Sequence, residues 1–467
     1  MSLRPKANRR TAALASALTL GLALTACGGD SEDDSTGTGT GETSSSAAAL
    51  DCSVFEQAPY TEFGDIDGKS VSLYTSVVTP EDTPYIEAFQ AFTDCTGVEV
   101  EYEGDKQFET QILVRARAGN PPDIAFVPQP GLLAQLVETG TVVAAPAAVS
   151  TNVDTYWDPA WKGYGSVGGT FYSAPNSANV KSLVWYSPTE FEESGYSVPT
   201  TLDELKALSD KMVADGKTPW CAGISSGEAT GWPVTDWMED FMLRTAGPEA
   251  YDKWVAHETP FNSPEAVAAL DGAGEYLKNT EYVNGGLGDV KSIATTTFQD
   301  AGQPILDGAC SLHRQASFYA ANWPEGTEVA EDGDVFAFYL PGETADDKPV
   351  LGAGEFTTAF ADRPEVQAFQ TWLSSPEYAN LRASLSPSGG WVSANKELDT
   401  ANLKSPIDQL SAEILLDPEA VFRFDGSDLM PAAVGSNAFW KQATNWITGT
   451  ATTQQALDNI EAAWPAS

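Results

Sequence analysis

The chain is poor in histidine, cysteine, methionine and positive charge, and each shortage closes off a class of function. Only His257 and His313 are present, and the 5 cysteines nowhere form CxxC pairs, so no zinc site of ordinary ligand spacing can be assembled. Lys and Arg number 25 against 66 Asp and Glu, and no basic cluster follows Arg10, which excludes nucleic acid as a partner. Beyond the first two dozen residues no segment is apolar for the roughly 20 residues that a bilayer needs. No repeat of about 20–50 residues is visible, so solenoids and propellers are excluded as well. No cofactor is expected.

What is present begins with an address. Arg4, Lys6, Arg9 and Arg10 precede an apolar run from Ala12 to Leu24, and Leu24-Thr25-Ala26-Cys27 closes it as a lipobox. About 13 residues are too few to span a membrane. Residues 1–26 therefore read as a lipoprotein signal peptide and Cys27 as the lipidated start of the mature chain. Residues 27–59 are assigned to the lipidated Cys and a flexible tether; within them Gly28 to Ala49 is Gly, Ser, Thr, Asp and Glu with almost nothing to bury, and its expected reach is roughly 25 Å. The expected location is extracytoplasmic, on the outer face of the cell membrane, with the lipid as the sole membrane contact. The leader holds four basic residues and no acid, so its removal takes the net charge from -41 to -45, which favours solubility outside a cell. In that oxidising setting Cys52, Cys95, Cys221 and Cys310 allow three pairings; Cys52 with Cys95 and Cys221 with Cys310 keep each bridge within one stretch of chain and are expected.

The remaining roughly 410 residues exceed one core and suit two lobes. Residues 71–78 read as a buried strand, and Thr79-Pro80-Glu81-Asp82 as the N-cap and first turn of a helix with Ile86, Phe89 and Phe92 on one face, ended by Gly97. Strands at 98–102 and 124–127 then alternate with helices at 106–118 and 132–138, which predicts a parallel sheet covered on both faces. A second alternating region starts at 182–186, and Thr201-Leu-Asp-Glu204 is a capping box opening a helix with Leu205, Leu208 and Met212 on one side. Further helices are expected over 264–278, 363–373 and 452–464. Two α/β regions put a ligand cleft between them, at the carboxyl ends of strands.

Two motifs carry catalytic resemblances. Gly223-Ile-Ser225-Ser-Gly227 matches a nucleophile elbow with His313 downstream, which would make the chain a secreted serine hydrolase acting through Ser225. Against this, an elbow joins a strand directly to a helix, whereas Gly227 to Pro233 reads as continuing loop. Gly64-Asp-Ile-Asp-Gly68-Lys69-Ser70 has three residues between its glycines where a phosphate loop has four, and it precedes its strand, so it reads as a turn.

Several stretches, in order, resemble the solute-binding component of carbohydrate ABC transporters: Pro122-Asp123-Ile124, Ala316-Ser317-Phe318, Leu351-Gly-Ala-Gly354, and Met430-Pro431 followed by Ala438-Phe439-Trp440. Longer ones are similar to the α-glucoside-binding branch. They are Asn179-Val-Lys181-Ser-Leu-Val-Trp185-Tyr186, Thr218-Pro-Trp-Cys221, Ala229-Thr-Gly-Trp232-Pro-Val-Thr-Asp236-Trp237, His313-Arg-Gln315-Ala-Ser-Phe318 and Phe422-Arg-Phe-Asp425-Gly-Ser-Asp428-Leu-Met430-Pro431. The chain departs from the pattern at 176–178 and at His313-Arg314, positions that bear on which sugar is taken. The resemblance implies a periplasmic-binding-protein-like type II fold of two α/β lobes joined by a hinge of crossover segments. Lobe 1 would comprise 60–177 plus 348–392 and lobe 2 would comprise 178–347 plus 393–467. It implies a monomeric receptor, not an enzyme, that closes on a neutral α-glucoside or oligosaccharide and passes it to ABC permease subunits. A polyamine or peptide is the alternative solute.

A pyranose offers an apolar face and an edge of hydroxyls, so its site needs aromatic platforms and planar polar groups. By resemblance Trp440 and Phe318 are stacking positions. Trp232 and Trp237 flank Asp236 in what reads as a loop, with Asp236 either accepting from ligand hydroxyls or capping a helix that begins at Trp237. Arg314 either forks to adjacent hydroxyls or forms an ion pair; Gln315 lies beside it. Gln129 follows a strand, Asn176 and Asn179 lie in the first crossover, Glu355 follows the re-entry strand, and Trp391 follows Ser388-Gly389-Gly390. Asp105 opens a helix, where capping competes with binding. Of Asp425 and Asp428 at least one is expected only to form a turn.

Overall fold

Strand β1, Ser70–Thr75, sends Val71 and Leu73 to one side of its sheet and Tyr74 to the other, all buried. The same alternation recurs in β3, Ile124–Val127, where Ile124 and Phe126 join the core around Val71 while Ala125 and Val127 join the one around Tyr74. A strand buried on both faces is the mark of a sheet sandwiched by helices. The computed structural model describes residues 50–283 and 290–465; the leader, Cys27 and the tether up to 49 lie outside the described residues.

The first sheet runs β2 (Glu99–Gly104), β1, β3, then Phe356–Ala359 and Ser173–Pro175. The first three strands are parallel, linked through α1 (Thr83–Thr96) and α2 (Phe108–Arg117), and the last two are antiparallel additions. Helix α3 (Pro130–Glu138) follows β3 directly. In α1 the buried stripe is Tyr85, Ala88, Phe89 and Phe92, whereas Ile86, expected inside, is 47% exposed. The start of α1 also differs from expectation: Pro84, not Pro80, occupies its first turn, and Thr79 bonds Asp82 before the helix begins. Gly97 closes α1 with φ 73°, and a Cβ there would meet the Asp67 carboxylate.

Both expected disulfides are formed, Cys52–Cys95 and Cys221–Cys310. The first lies in a 3-10 turn, Cys52–Glu56, whose Phe55 packs on Phe92 and Tyr60. Residues 50–59 thus belong to the folded body rather than to the tether, because an aromatic contact and a covalent bridge hold them to α1.

The second half is built differently. Its sheet, Phe336–Tyr339, Leu183–Tyr186 and Leu312–Arg314, is wholly antiparallel, and the helices Leu202–Ala214, Trp232–Thr245 and Pro264–Leu277 pack into its core. Thr201 caps its helix as predicted, but the Glu204 carboxylate turns back to Thr200 instead of Thr201. A small sheet of Val421–Phe424, Pro349–Ala353 and Asn179–Val180 sits where the chain passes between halves. Two of its strands are such passages: Asn179–Val180 leads from the first sheet into the second, and Pro349–Ala353 leads back. Among the described residues no helix is long and apolar enough to cross a membrane.

Candidate functional site

The parallel strands release their chain at one end of the first sheet, and that end lines a cavity of about 220 Å³. Glu81 comes from the segment after β1, Glu109 from the first turn of α2, and Gln129 from the residue just before α3. Asn179, Lys181 and Glu355 come from the passages between halves, Arg382 and Trp391 from the first half's later elements, and Trp232, Phe318, Asp428 and Trp440 from the opposite wall.

Nine of the residues singled out in the sequence meet there: Gln129, Asn179, Trp232, Phe318, Glu355, Trp391, Asp425, Asp428 and Trp440. Trp232 stands edge-on to Phe298 at 5.1 Å, with Phe318 tilted against it at 6.0 Å, giving one wall an aromatic corner. Trp391 and Trp440 are both 4% exposed, and neither indole N–H has a partner among the described residues. Gln129 Oε1 and Asn179 Oδ1 are likewise buried and unbonded. A buried polar atom left without a partner costs about 1–3 kcal/mol, so a cavity with four of them around its lining suits a ligand that supplies donors and acceptors.

The other six are not brought to the cavity. Asp105 accepts from the Tyr74 hydroxyl at 2.8 Å and from the Gln107 N–H at 2.9 Å, so it closes the turn ahead of α2 rather than capping the helix, whose N-cap is Gln107. Trp237 is stacked between Phe241 and Tyr276 in the second core. Its segment is no loop: Gly231, with φ 118°, caps a helix that starts at Trp232 with Pro233 in its first turn, so Asp236 is a helix-interior residue. Gln315 is fully buried and spends its Oε1 on the Ala316 N–H. Asn176 is buried beside the backbone of Glu355, to which its N–H donates at 2.7 Å.

Asp236 and Arg314 belong to a buried ladder of charges behind the cavity wall. Lys181, which lines the cavity, bonds Asp425 and, at 3.0 Å, Asp236; Arg314 joins Asp236 at 3.0 Å and also holds Asp240. Arg244 bonds Asp240 at 2.6 Å and ends on the carbonyls of Leu340, Pro341 and Pro349. Three cations answer three acids, so the ladder is neutral as a set. Burial disfavours the Lys181 ammonium, yet Asp236, Asp425 and Asp428 outweigh it and hold the group well above the ordinary lysine value. Burial lifts Asp236 to about 6 despite its two cations, while Asp425 is held low by Lys181 in spite of burial. Asp425 also caps the turn Gly426–Leu429, accepting from the Asp428 N–H at 2.9 Å, which is the turn-forming role expected of one of that pair.

The acids that line the cavity are differently placed. Burial and neighbouring carboxylates raise Asp428 well above its usual range, and burial raises Glu109. Glu81 and Glu355 are each pushed up to about 7 by burial; Asn322 bonds the first at 3.1 Å and the Tyr85 hydroxyl the second at 3.2 Å. Glu81, Glu109, Lys181 and Arg382 were not singled out from sequence. The first two sit just past β1 and β2, where the strand-end rule places ligand groups, and so were findable; Arg382 lies in the last turn of the helix Pro376–Ser384, where a basic residue reads as an ordinary helix-end charge.

The nucleophile elbow is not built. Ser225 forms a bridge with Thr297, the helix starts only at Trp232, and His313 is buried with Nδ1 on the Cys221 carbonyl at 3.1 Å. Burial lowers His313 to about 4.

The profile of the bacterial extracellular solute-binding proteins matches residues 76–380. The osmoprotective compounds-binding protein GgtB of Synechocystis sp. is 40% identical over 406 residues, 86% of this chain and 94% of that protein. The alpha-glucosides-binding periplasmic protein AglE of Rhizobium meliloti is 36% identical over 429 residues, 88% and 91% of the two chains. Among solved structures, the solute receptor AcbH, with a preference for β-D-galactopyranose, superposes with a TM-score of 0.71 at 18% identity, covering 85% of this chain and 98% of that one. Maltose-bound T. maritima MalE3 gives 0.66 at 16% identity, with 84% and 98% covered.

Proposed function

The chain belongs to the bacterial extracellular solute-binding proteins, binding components of transporters and not enzymes, and from that premise we propose that it captures a neutral α-linked glucoside and hands it to an ABC importer. The observation that carries this reading is the cavity wall itself. Indole and phenyl faces stand beside buried hydrogen-bonding atoms that lack partners, the pairing of apolar surface and polar edge that a pyranose presents. Supporting it, the two relatives of high identity are named for osmoprotective compounds and for α-glucosides. At about 220 Å³ the cavity is below the ~300–1,000 Å³ of drug-sized ligands, which favours a disaccharide or smaller.

In this reading 60–177 with 348–392 form one lobe and 178–347 with 393–467 the other, and ligand touching both shifts the hinge equilibrium toward closure. Cys27 carries the lipid that keeps the receptor beside its permease, and the receptor acts as a monomer. Trp440 and Trp391 serve as platforms and Gln129, Asn179, Glu355 and Asp428 as hydroxyl partners.

Melting temperature measured across a panel of neutral α-glucosides, polyamines and peptides tests the ligand class. An upward shift with glucosides alone, lost in Trp440→Ala, is expected. A shift with polyamines or peptides only would keep the transport role and remove the sugar. Cell fractionation of a Cys27→Ala chain, expected to leave the membrane fraction, tests the anchor.

A further inference from the structure

The two walls of the cavity are bonded to each other at Glu81, whose Oε1 accepts from the Nδ2 of Asn322 at 3.1 Å. Glu81 stands in the turn between β1 and α1, and Asn322 ends the 3-10 turn Ser317–Asn322 of the opposite wall. That turn has further connections. At its start the Ser317 hydroxyl accepts from the Val180 N–H at 3.2 Å, in a passage between halves, and its Phe318 lines the cavity. A Cβ on Gly390, in the first half, would stand 3.0 Å from the Phe318 carbonyl oxygen and 3.3 Å from the Ala321 Cβ, so the turn fits closely against the first half. One short turn thus joins a passage strand, a ring facing the ligand space and a bond between walls.

The Asn322 amide is only half used. It is 5% exposed, its Nδ2 is given to Glu81, and its Oδ1 is buried without a partner among the described residues. A hydrogen on the Glu81 carboxyl supplies the missing donor: an acid and an amide can exchange two bonds, whereas a carboxylate can only accept. Besides Asn322, the groups facing Glu81 are Asp82 on its own segment, Lys106 ahead of α2, Tyr102 on β2 and Glu355 past the re-entry strand. Burial favours the neutral acid, as does Asp82 to a lesser degree; the Asn322 N–H and Lys106 favour the ion, and burial prevails.

We propose that Glu81 and Asn322 are a proton-dependent positioning pair, an acid–amide bridge that holds the walls together over bound sugar and weakens as the carboxyl ionises. The inference rests on the reading of the chain as a two-lobed sugar receptor. When the walls part, Glu81 meets water and returns to the ordinary value of 4.5; when they close, burial lifts it to about 7. Closure therefore takes up a proton between those values, and a ligand that drives closure binds more tightly at the acid end of the range.

The test is calorimetric titration of the full folded chain with maltose, trehalose and sucrose at pH 5.5 and pH 8. The bound sugar is expected to dissociate roughly tenfold more readily at pH 8, with net proton uptake at pH 6 read from buffers of different ionisation enthalpy. Glu355 titrates in the same direction, so the variants decide the assignment. Glu81→Gln keeps both bonds without a proton to lose; it is expected to bind more tightly than the wild type at pH 8 and to shrink the ratio between the two pH values at least about threefold. Asn322→Ala is expected to weaken binding more at pH 5.5 than at pH 8, whereas a merely structural residue would weaken it equally at both. Equal affinity of the wild type at both pH values, or an unchanged ratio in Glu81→Gln, overturns the bridge and leaves the sugar reading intact. If none of the sugars binds, the sugar reading fails, and small-angle scattering of the ligand-free chain decides the bridge: a smaller radius of gyration at pH 5.5 than at pH 8, abolished in Glu81→Gln, supports it, and equal radii overturn it.

Discussion

Arg314 has every guanidinium contact turned inward, toward Asp236 and Asp240, and none toward the cavity. Removing one member of a buried set strands its partners, at a cost of about 3–5 kcal/mol. Arg314→Ala is therefore expected to lower unfolding free energy by that amount in urea titrations, and to weaken ligand binding only in proportion to lost folded protein. Glu355 behaves in the opposite sense. It is faced by the Tyr85 hydroxyl, Glu81 and Arg382, and burial raises it from the ordinary 4.5 to about 7. Between those values the native state holds a proton that the unfolded chain has released, so the ligand-free protein loses stability as pH rises from about 4.5 to about 7. Glu355→Gln is expected to flatten that slope; an unchanged difference between melting curves at pH 5 and pH 7.5 would contradict the assigned burial. Whether an acid lines the cavity or stands behind it could not be read from its neighbours in sequence. Asp236, Asp425 and Asp428 occupy the same family-like stretches, yet only the three-dimensional positions of Lys181 and Arg314 decide which carboxylate is already satisfied.

The helix Trp232–Thr245 shows how an element can be misread and still point to the site. Gly, Pro and two indoles suggest a loop, but Gly231 at φ 118° is the cap, and Pro233 sits in the first turn, where its missing N–H costs nothing. A Cβ at Gly231 would lie 2.1 Å from the Trp440 carbonyl oxygen. Gly231→Ala is thus expected to push the Trp440 backbone away and to weaken ligand binding by tenfold or more, a loss that a titration would register beside a fall in melting temperature. The first-half elements were the legible ones, since Val71, Leu73, Phe89 and Phe92 obey strand and helix periods that burial enforces. The antiparallel pairing of Leu183–Tyr186 with Leu312–Arg314 was not legible, because nothing local links strands 130 residues apart; the family-like stretches alone hinted that they belong together.

Across the whole molecule, the two halves touch at the rim of the cavity as well as through the passages between them. Asn322 donates to Glu81, and Thr110 donates to Glu228, so groups from opposite walls meet directly. A ligand that fills the space between them adds contacts to both walls at once, the condition for ligand-driven closure. The central claim is that this space takes a neutral α-glucoside. Isothermal titration of the purified chain with maltose, trehalose and sucrose is its most direct test. One-site binding with a negative heat-capacity change, reduced roughly ten- to hundredfold or more by Trp440→Ala, is the predicted result. Absence of heat with every neutral glucoside, together with saturable binding of a polyamine or peptide, would contradict it.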